Sequence, residues 1–319
     1  MSIFALFISI FAGLANGSYI YPIENNQKDI NLVWIRFAAI TFLAIPSLIF
    51  IYSTLSGSFY LTLKHSLIIL LVGIFFGIGM FVFTKSVRYI GLGVPFAINI
   101  SLGTLSGSLF SIFINGKYYL FSEDKLITLS YAIFIIAIAL YAYSLSIRDS
   151  QKNINWVKGL SLALASGILC ASQGAAIGYY SDYLKSYPNH FTSLLIPWSL
   201  IFISCGIVFI LSQIKDAKNN KVKIDYFSKD KKSVKVAGIM SAMYFGSVVL
   251  YNWANAMTLK FSEEFLWISF MSCIVIASTV CSYVKGEWIN SSKKGMVINY
   301  TAIFMLIFSI ILFGIASTN

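Results

Sequence analysis

Charged side chains are scarce in this sequence. Its 319 residues include 23 Lys plus Arg and 12 Asp plus Glu, together 11% of the chain, where a soluble globular protein carries about 25%. With 58% of residues drawn from AVILMFWYC and a mean hydropathy of +0.80, a soluble fold would have nowhere to put its apolar surface. A soluble enzyme, a disordered chain and a secreted disulfide scaffold are therefore excluded. Catalytic apparatus is also thin. There are two histidines, His65 and His190, neither in an HExxH arrangement, and no GxxxxGK[ST] loop to hold a nucleoside triphosphate. The four cysteines, Cys170, Cys205, Cys273 and Cys281, form no CxxC pair and all fall in apolar stretches. They read as small packing residues, not metal ligands.

Long apolar runs are what the chain does have. Ten stretches approach or exceed the roughly 20 residues needed to cross about 30 Å of hydrocarbon: 3–21, 32–52, 66–84, 93–114, 127–147, 157–180, 191–213, 234–257, 265–284 and 296–316. The runs are continuous, where the strands of a membrane barrel would alternate. The fold class expected is an all-α polytopic membrane protein of ten transmembrane helices. Residues 1–20 contain no Lys or Arg, so they lack the positive region of a signal peptide and read as the first helix.

The net charge of +11 is unevenly placed. The connections after even-numbered helices hold only Lys64, Lys117, Lys125, Lys185 and Lys260; apart from Arg36 in the second helix, the other 17 cations lie in the connections after odd-numbered helices. The positive-inside rule puts that end in the cytoplasm and both termini outside, in an inner membrane. The basic residues are a topology signal, so nucleic acid is not expected as a partner.

The polar stretch Arg148–Lys158 falls near mid-chain, after the fifth helix. Two five-helix repeats, 1–150 and 151–319, follow from that division. An odd helix number per repeat makes them inverted in topology, a frequent transporter design. Phe76-Gly77 and Phe245-Gly246 recur at an offset of 169. GxxxG spacings at Gly13/Gly17, Gly73/Gly77, Gly103/Gly107 and Gly174/Gly178 mark stripes where helices can approach closely.

Polar side chains inside apolar spans are costly in lipid and should face the interior. Asn16, Asn99, Gln173, Asn252 and Asn255 form that set. An amide offers donors and acceptors together, which suits it to replacing water around sugar hydroxyls. Trp267, with Tyr19, Tyr251 and Trp198, offers flat faces for a sugar ring. None of the twelve carboxylates sits at the centre of a span. Ser262-Glu263-Glu264 opens the ninth helix, where a capping serine and two acids suit the positive end of the helix dipole. The same position makes Glu264, with Glu263, the candidate proton-coupling group. Lys85 and Arg88 read as cations reaching out of the third helix toward water, and Asp216 as a residue of the polar connection that follows the seventh.

Several motifs then resemble the L-rhamnose–proton symporter family of the drug/metabolite transporter superfamily. They are Gly77-Ile78-Gly79, Arg88-Tyr89-Ile90-Gly91, Ile114-Asn115-Gly116, Pro197, Glu264-Phe265, Glu287-Trp288 and Gly314-Ile315-Ala316-Ser317. The resemblance is best over 70–148 and 260–317. It implies ten helices in two inverted repeats and sugar uptake driven by a proton gradient, with no cofactor and no metal. The chain departs from the family at Met80, where the family tends to have asparagine, at Asn31, where it has glutamate, and in a first connection with a single lysine, Lys28. The expected function is a proton-coupled symporter for L-rhamnose or a related sugar, working by alternating access. The expected partners are a small neutral solute, protons and the lipid bilayer. The alternatives are a metabolite or amino-acid exporter of the same superfamily and, in a different class, a membrane-embedded enzyme or sensor.

Overall fold

A computed structural model describes residues 3–23, 30–90, 93–105, 107, 109, 111–114, 116, 118, 121, 124–149, 155–184, 187, 190–220, 230–257 and 263–316. The described residues are helical wherever they are regular. In chain order the helices are α1 (Ile3–Ser18), α2 (Ile30–Leu55), α3 (Leu63–Ile90), α4 (Gly93–Leu105, with a further turn at Ser111–Ile114), α5 (Lys125–Asp149), α6 (Trp156–Leu184), α7 (His190–Asn219), α8 (Lys231–Ala256), α9 (Glu263–Val284) and α10 (Lys293–Ala316). Eight are long and apolar enough to cross a membrane, while α1 and α4 are shorter apolar helices. The chain is an integral, multi-pass membrane protein.

Each helix sorts its residues between bundle and lipid. On α1, Phe4, Phe7 and Phe11 are exposed, while Ala5, Ser9, Ala12 and Asn16 are buried. Large apolar groups outside and small or polar ones inside is the arrangement expected where lipid replaces water as solvent. Glycine makes the closest approaches. A Cβ on Gly13 would come within 2.6 Å of Cys273 Cβ, and one on Gly17 within 2.8 Å of Ala277 Cβ, so α1 lies backbone to backbone on α9. Gly73 and Gly77 bring α3 equally close to Ile201 and Cys205 of α7.

Two prolines shape the bundle. Pro46 has no N–H to give, and its ring would crowd the carbonyl of Phe42. The chain answers with a π-helical turn at Ala39–Ala44, in which Ile45 N–H bonds back to Ile40 O. The wider turn lodges Phe42 among Phe37, Phe76, Phe202 and Tyr244. Pro197 lies inside α7, the helix most enclosed by its neighbours.

The apolar interior forms two clusters. The larger gathers α1, α2, α3, α6, α7, α8 and α9; the smaller joins α5 and α10 to the near faces of α4 and α9. Polar seams lock the smaller one. Ser309 Oγ donates to Ser130 O at 3.0 Å, and Asn299 Nδ2 to Ser144 Oγ at 3.0 Å. The strongest packing partners are α3 with α6, α5 with α10, α3 with α7, α1 with α9, α4 with α6 and α1 with α8.

The expected placement of three charged residues needs correcting. Helix α7 runs on to Asn219, so Asp216 sits in its final turns and is 6% exposed. It accepts from Lys85 Nζ at 2.5 Å and from Arg88 Nη1 at 2.9 Å. Those two cations do not simply reach into water. They pair across the bundle because α3 and α7 end side by side at the basic end.

Candidate functional site

The larger cavity lies in the middle of the bundle. Counting its open mouth, it has about 720 Å³ of empty space. Asn16 and Tyr19 line it at the end of α1. Helix α3 gives Phe76, Met80 and Phe83, and α4 gives Phe96, Asn99, Ile100 and Gly103. Across the cavity stand Cys170, Gln173 and Gly174 from α6, Trp198 from α7, Tyr244 and Val248 from α8, and Trp267, Phe270, Met271 and Ile274 from α9. Helices one, three, four, six, eight and nine meet here, as does the seventh through Trp198.

Asn16 and Asn99 are held from behind, and Gln173 and Trp198 keep their polar groups unspent. Asn16 Nδ2 donates to Ser247 Oγ at 2.8 Å, which fixes the amide and leaves its carbonyl oxygen unengaged. Asn99 Nδ2 donates to Ser166 Oγ at 2.6 Å, with the same result. Gln173 has no hydrogen-bond partner among the described residues. The indole N–H of Trp198 is buried without an acceptor, an arrangement costly unless a ligand or water completes it. Trp267 is held by a 3.3 Å bond from Nε1 to Gly103 O, with Tyr251 and Phe270 packed on its ring. The wall therefore offers amide carbonyls, an unspent amide, an indole donor and the hydroxyls of Tyr19 and Tyr244, on a largely apolar lining. Among the described residues, none that lines the cavity is Asp, Glu, Lys, Arg or His. That chemistry suits a neutral solute with several hydroxyl groups.

Of the residues singled out in the sequence, Asn16, Asn99, Gln173 and Trp267 meet at this cavity. Asn252 and Asn255 do not line it. They are fully buried further along α8, where Asn252 Nδ2 bonds Val248 O of its own helix at 2.7 Å and Asn255 Nδ2 reaches Ser181 Oγ of α6 at 3.5 Å. Ser262 and the side chains of Glu263 and Glu264 lie outside the described ones; Glu263 and Glu264 do open α9. Met80, one of the departures noted above, is in the wall itself. Trp198 becomes prominent only in three dimensions, because one tryptophan in so aromatic a chain carries no signal until its N–H is found without a partner.

At the basic end a second set of polar contacts joins helices from the two halves of the sequence. Besides the Asp216 cluster, Arg36 Nη1 donates to Asp230 O at 3.1 Å and to Ser233 Oγ. Within the first half, Arg88 Nη2 also donates to Asn31 Oδ1 at 2.8 Å. Arg148 Nη1 pairs with Glu287 at 2.9 Å, with its guanidinium over Trp288. Lys285 Nζ donates to Ile23 O at 3.3 Å.

The family described as L-rhamnose-proton symport protein matches residues 29–318. The chain belongs to that family. Proteins named L-rhamnose-proton symporter from Shigella dysenteriae serotype 1 (strain Sd197) and Escherichia coli (strain K12 / DH10B) are each 24% identical to it over 307 residues. These matches cover 88% of this chain and 85% of theirs. One from Yersinia pestis (strain Pestoides F) is 23% identical over 265 residues, covering 76% and 75%. Membership in the L-rhamnose-proton symport family makes the chain a membrane transporter and not an enzyme, and the embedded-enzyme alternative falls away.

Proposed function

We propose that the protein is a proton-coupled symporter of the inner membrane that takes up L-rhamnose or a closely related sugar by alternating access. One observation carries the reading: a central cavity whose described lining is uncharged and in which Asn16, Asn99, Gln173 and Trp198 retain unspent hydrogen-bonding groups. The relatives' name supplies the solute class, and the cavity's chemistry agrees with it. The apolar patch of Phe76, Met80, Phe270 and Met271 would take the carbon face of the ring, while Asn16, Asn99, Gln173 and Trp198 bond its hydroxyls. The basic end faces the cytoplasm, and both termini lie outside. No cofactor is needed beyond the proton gradient.

Two five-helix repeats, 1–150 and 151–319, are part of this reading. The packing pattern supports it. Helix α1 packs on α8 and α9 just as α6 packs on α3 and α4, and α2 meets α7 as α5 meets α10. An inverted repeat generates these relations, and rocking one repeat against the other would open the cavity to each side in turn. The polar ties at the basic end join the repeats and must part when the cavity opens there.

Glu264, with Glu263 beside it, is the proposed proton carrier. It lies three residues before Trp267 on α9, so helical register puts both positions on one face near the outer rim. Protonation there removes a charge that would otherwise resist transfer into the bundle. Uptake of labelled L-rhamnose into proteoliposomes, with and without an imposed pH gradient, tests the function. Gradient-driven accumulation is expected. Exchange of L-rhamnose without any response to the gradient would remove the proton from the mechanism, and absence of exchange would remove the sugar.

A further inference from the structure

A second cavity lies at the basic end, with about 500 Å³ of empty space including its mouth. It is stacked directly on the first. Phe96 of α4 lines both, Asn16 of the first cavity adjoins Gly17 of the second, and on α9 Ile274 of the first precedes Ser278 of the second by one turn. The lining is more polar than that of the central cavity and includes Tyr141, Arg148, Ser278, Ser282 and Glu287. The Arg148 side chain is only 5% exposed and is neutralised by Glu287 at 2.9 Å. The two cavities thus share one aromatic ring as their divider, and the second ends in an ion pair that joins α5 to the connection before α10.

We propose that the second cavity is a holding site for the transported sugar on its way to the cytoplasm, with Phe96 as the septum between it and the central site. The inference rests on the symporter reading above. The chemistry fits a polyol. Hydroxyls of serine and tyrosine stand beside the Arg148–Glu287 ion pair and the ammonium of Lys285, which is held by Ile23 O at 3.3 Å, so a hydroxylated solute meets both donors and acceptors there. The Phe96 ring has no polar atom to anchor it, so a change of rotamer opens the way without breaking a hydrogen bond. Arg148 and Glu287 close the far side and part when the repeats rock. The sugar then crosses in two short steps, each with polar partners at both ends.

The chain carries its own reporter. Cys281 lines this cavity and is partly exposed, whereas Cys170, Cys205 and Cys273 are buried. Full-length protein in inside-out vesicles is labelled with an impermeant maleimide, with and without L-rhamnose, while sugar binding is followed separately by the shift in melting temperature. We expect L-rhamnose to slow Cys281 labelling several-fold. The variant Ser278→Leu fills the second cavity without touching the first; it should keep the rhamnose-induced melting shift, lose the sugar's effect on labelling and slow net uptake. Phe96→Ala, which removes the septum, should speed rhamnose efflux from preloaded vesicles. A melting shift with unchanged Cys281 labelling in the natural protein would overturn the holding site and leave the symporter reading standing. So would equal protection in Ser278→Leu, because protection would then come from closure around the central site. If L-rhamnose gives no melting shift and no protection, the symporter reading itself falls. Efflux unaltered in Phe96→Ala would remove the septum.

Discussion

Arg88 of α3 and Asp216 of α7 meet at 2.9 Å at the basic end, with Lys85 on the other carboxylate oxygen and Asn31 on the other arm of the guanidinium. The cluster ties the third helix to the seventh. Its acid is buried, while Lys85 and Arg88 are 34% and 42% exposed. Asp216→Asn leaves two partly screened cations beside a neutral amide, so the cost should be modest: about 1–2 kcal/mol, between a surface pair and a buried one. The variant should also favour opening at the basic end. Lower melting temperature together with faster maleimide labelling of Cys281 is the expected pair of results.

Glycines give a sharper contrast. At Gly17 a side chain would run into Ala277 and the α9 backbone, whereas Gly246 of α8 has open space around its Cβ position. Gly17→Val should cost about 1–3 kcal/mol through overpacking and abolish transport. Gly246→Ala should be neutral or slightly stabilising, since alanine is the better helix former. Thermal unfolding of both proteins in one detergent, with counterflow alongside, checks the pair.

The central cavity predicts separable losses. Trp198→Phe keeps the ring and deletes the donor. The loss of one neutral hydrogen bond, about 1 kcal/mol, should weaken L-rhamnose binding roughly fivefold without lowering the melting temperature of the empty protein. Gln173→Ala should act the same way, because its amide supports no other described residue. Asn16→Ala should differ by costing stability as well, since it also releases Ser247 of α8. Titration of the rhamnose-induced melting shift distinguishes the three.

These residues show what the sequence could carry. The helices were legible because lipid imposes long apolar runs on the chain itself. Asn16, Asn99 and Gln173 stood out because an amide inside such a run demands a partner. Asn252 satisfied the same rule and yet bonds Val248 of its own helix, for the rule says that an amide faces inward, not whether it meets solute or backbone. Asp216 was assigned to a connection because its local surroundings are polar. Its partners are 131 and 128 residues away, and nothing local announces them. The unpartnered N–H of Trp198 is likewise a property of packing.

Asp230 gives a pH dependence. It lies just before α8 and caps it, with its carboxylate accepting from Lys232 N–H at 3.0 Å and Ser233 N–H at 3.2 Å. The Ser233 hydrogen bond, then those backbone amides and nearby Arg36, hold its carboxyl below the usual range, with desolvation opposing. A depressed carboxyl stabilises the fold fully above its unfolded value of about 4, and the benefit is lost as pH falls through the lower folded value. Asparagine also caps helices but does not titrate. The melting temperature of Asp230→Asn should therefore fall less steeply than that of the natural protein between neutral and acid pH.

Proton coupling at Glu264 makes the last prediction. One proton moved with each sugar lets a gradient of one pH unit support about tenfold accumulation, since each unit is worth about 1.4 kcal/mol. Glu264→Gln keeps the size and hydrogen-bonding capacity of the side chain while fixing it in a neutral form. If the charge must be removed before the repeats rock, the neutral variant should exchange internal for external L-rhamnose at any pH yet accumulate none against a gradient. Counterflow should survive and pH-driven uptake should vanish. Glu263 lies four residues before Trp267 and is also one turn from it, so Glu263→Gln is the matched comparison: with Glu264 as the carrier, it should retain both. Gradient-driven accumulation persisting in Glu264→Gln would move the proton to another group.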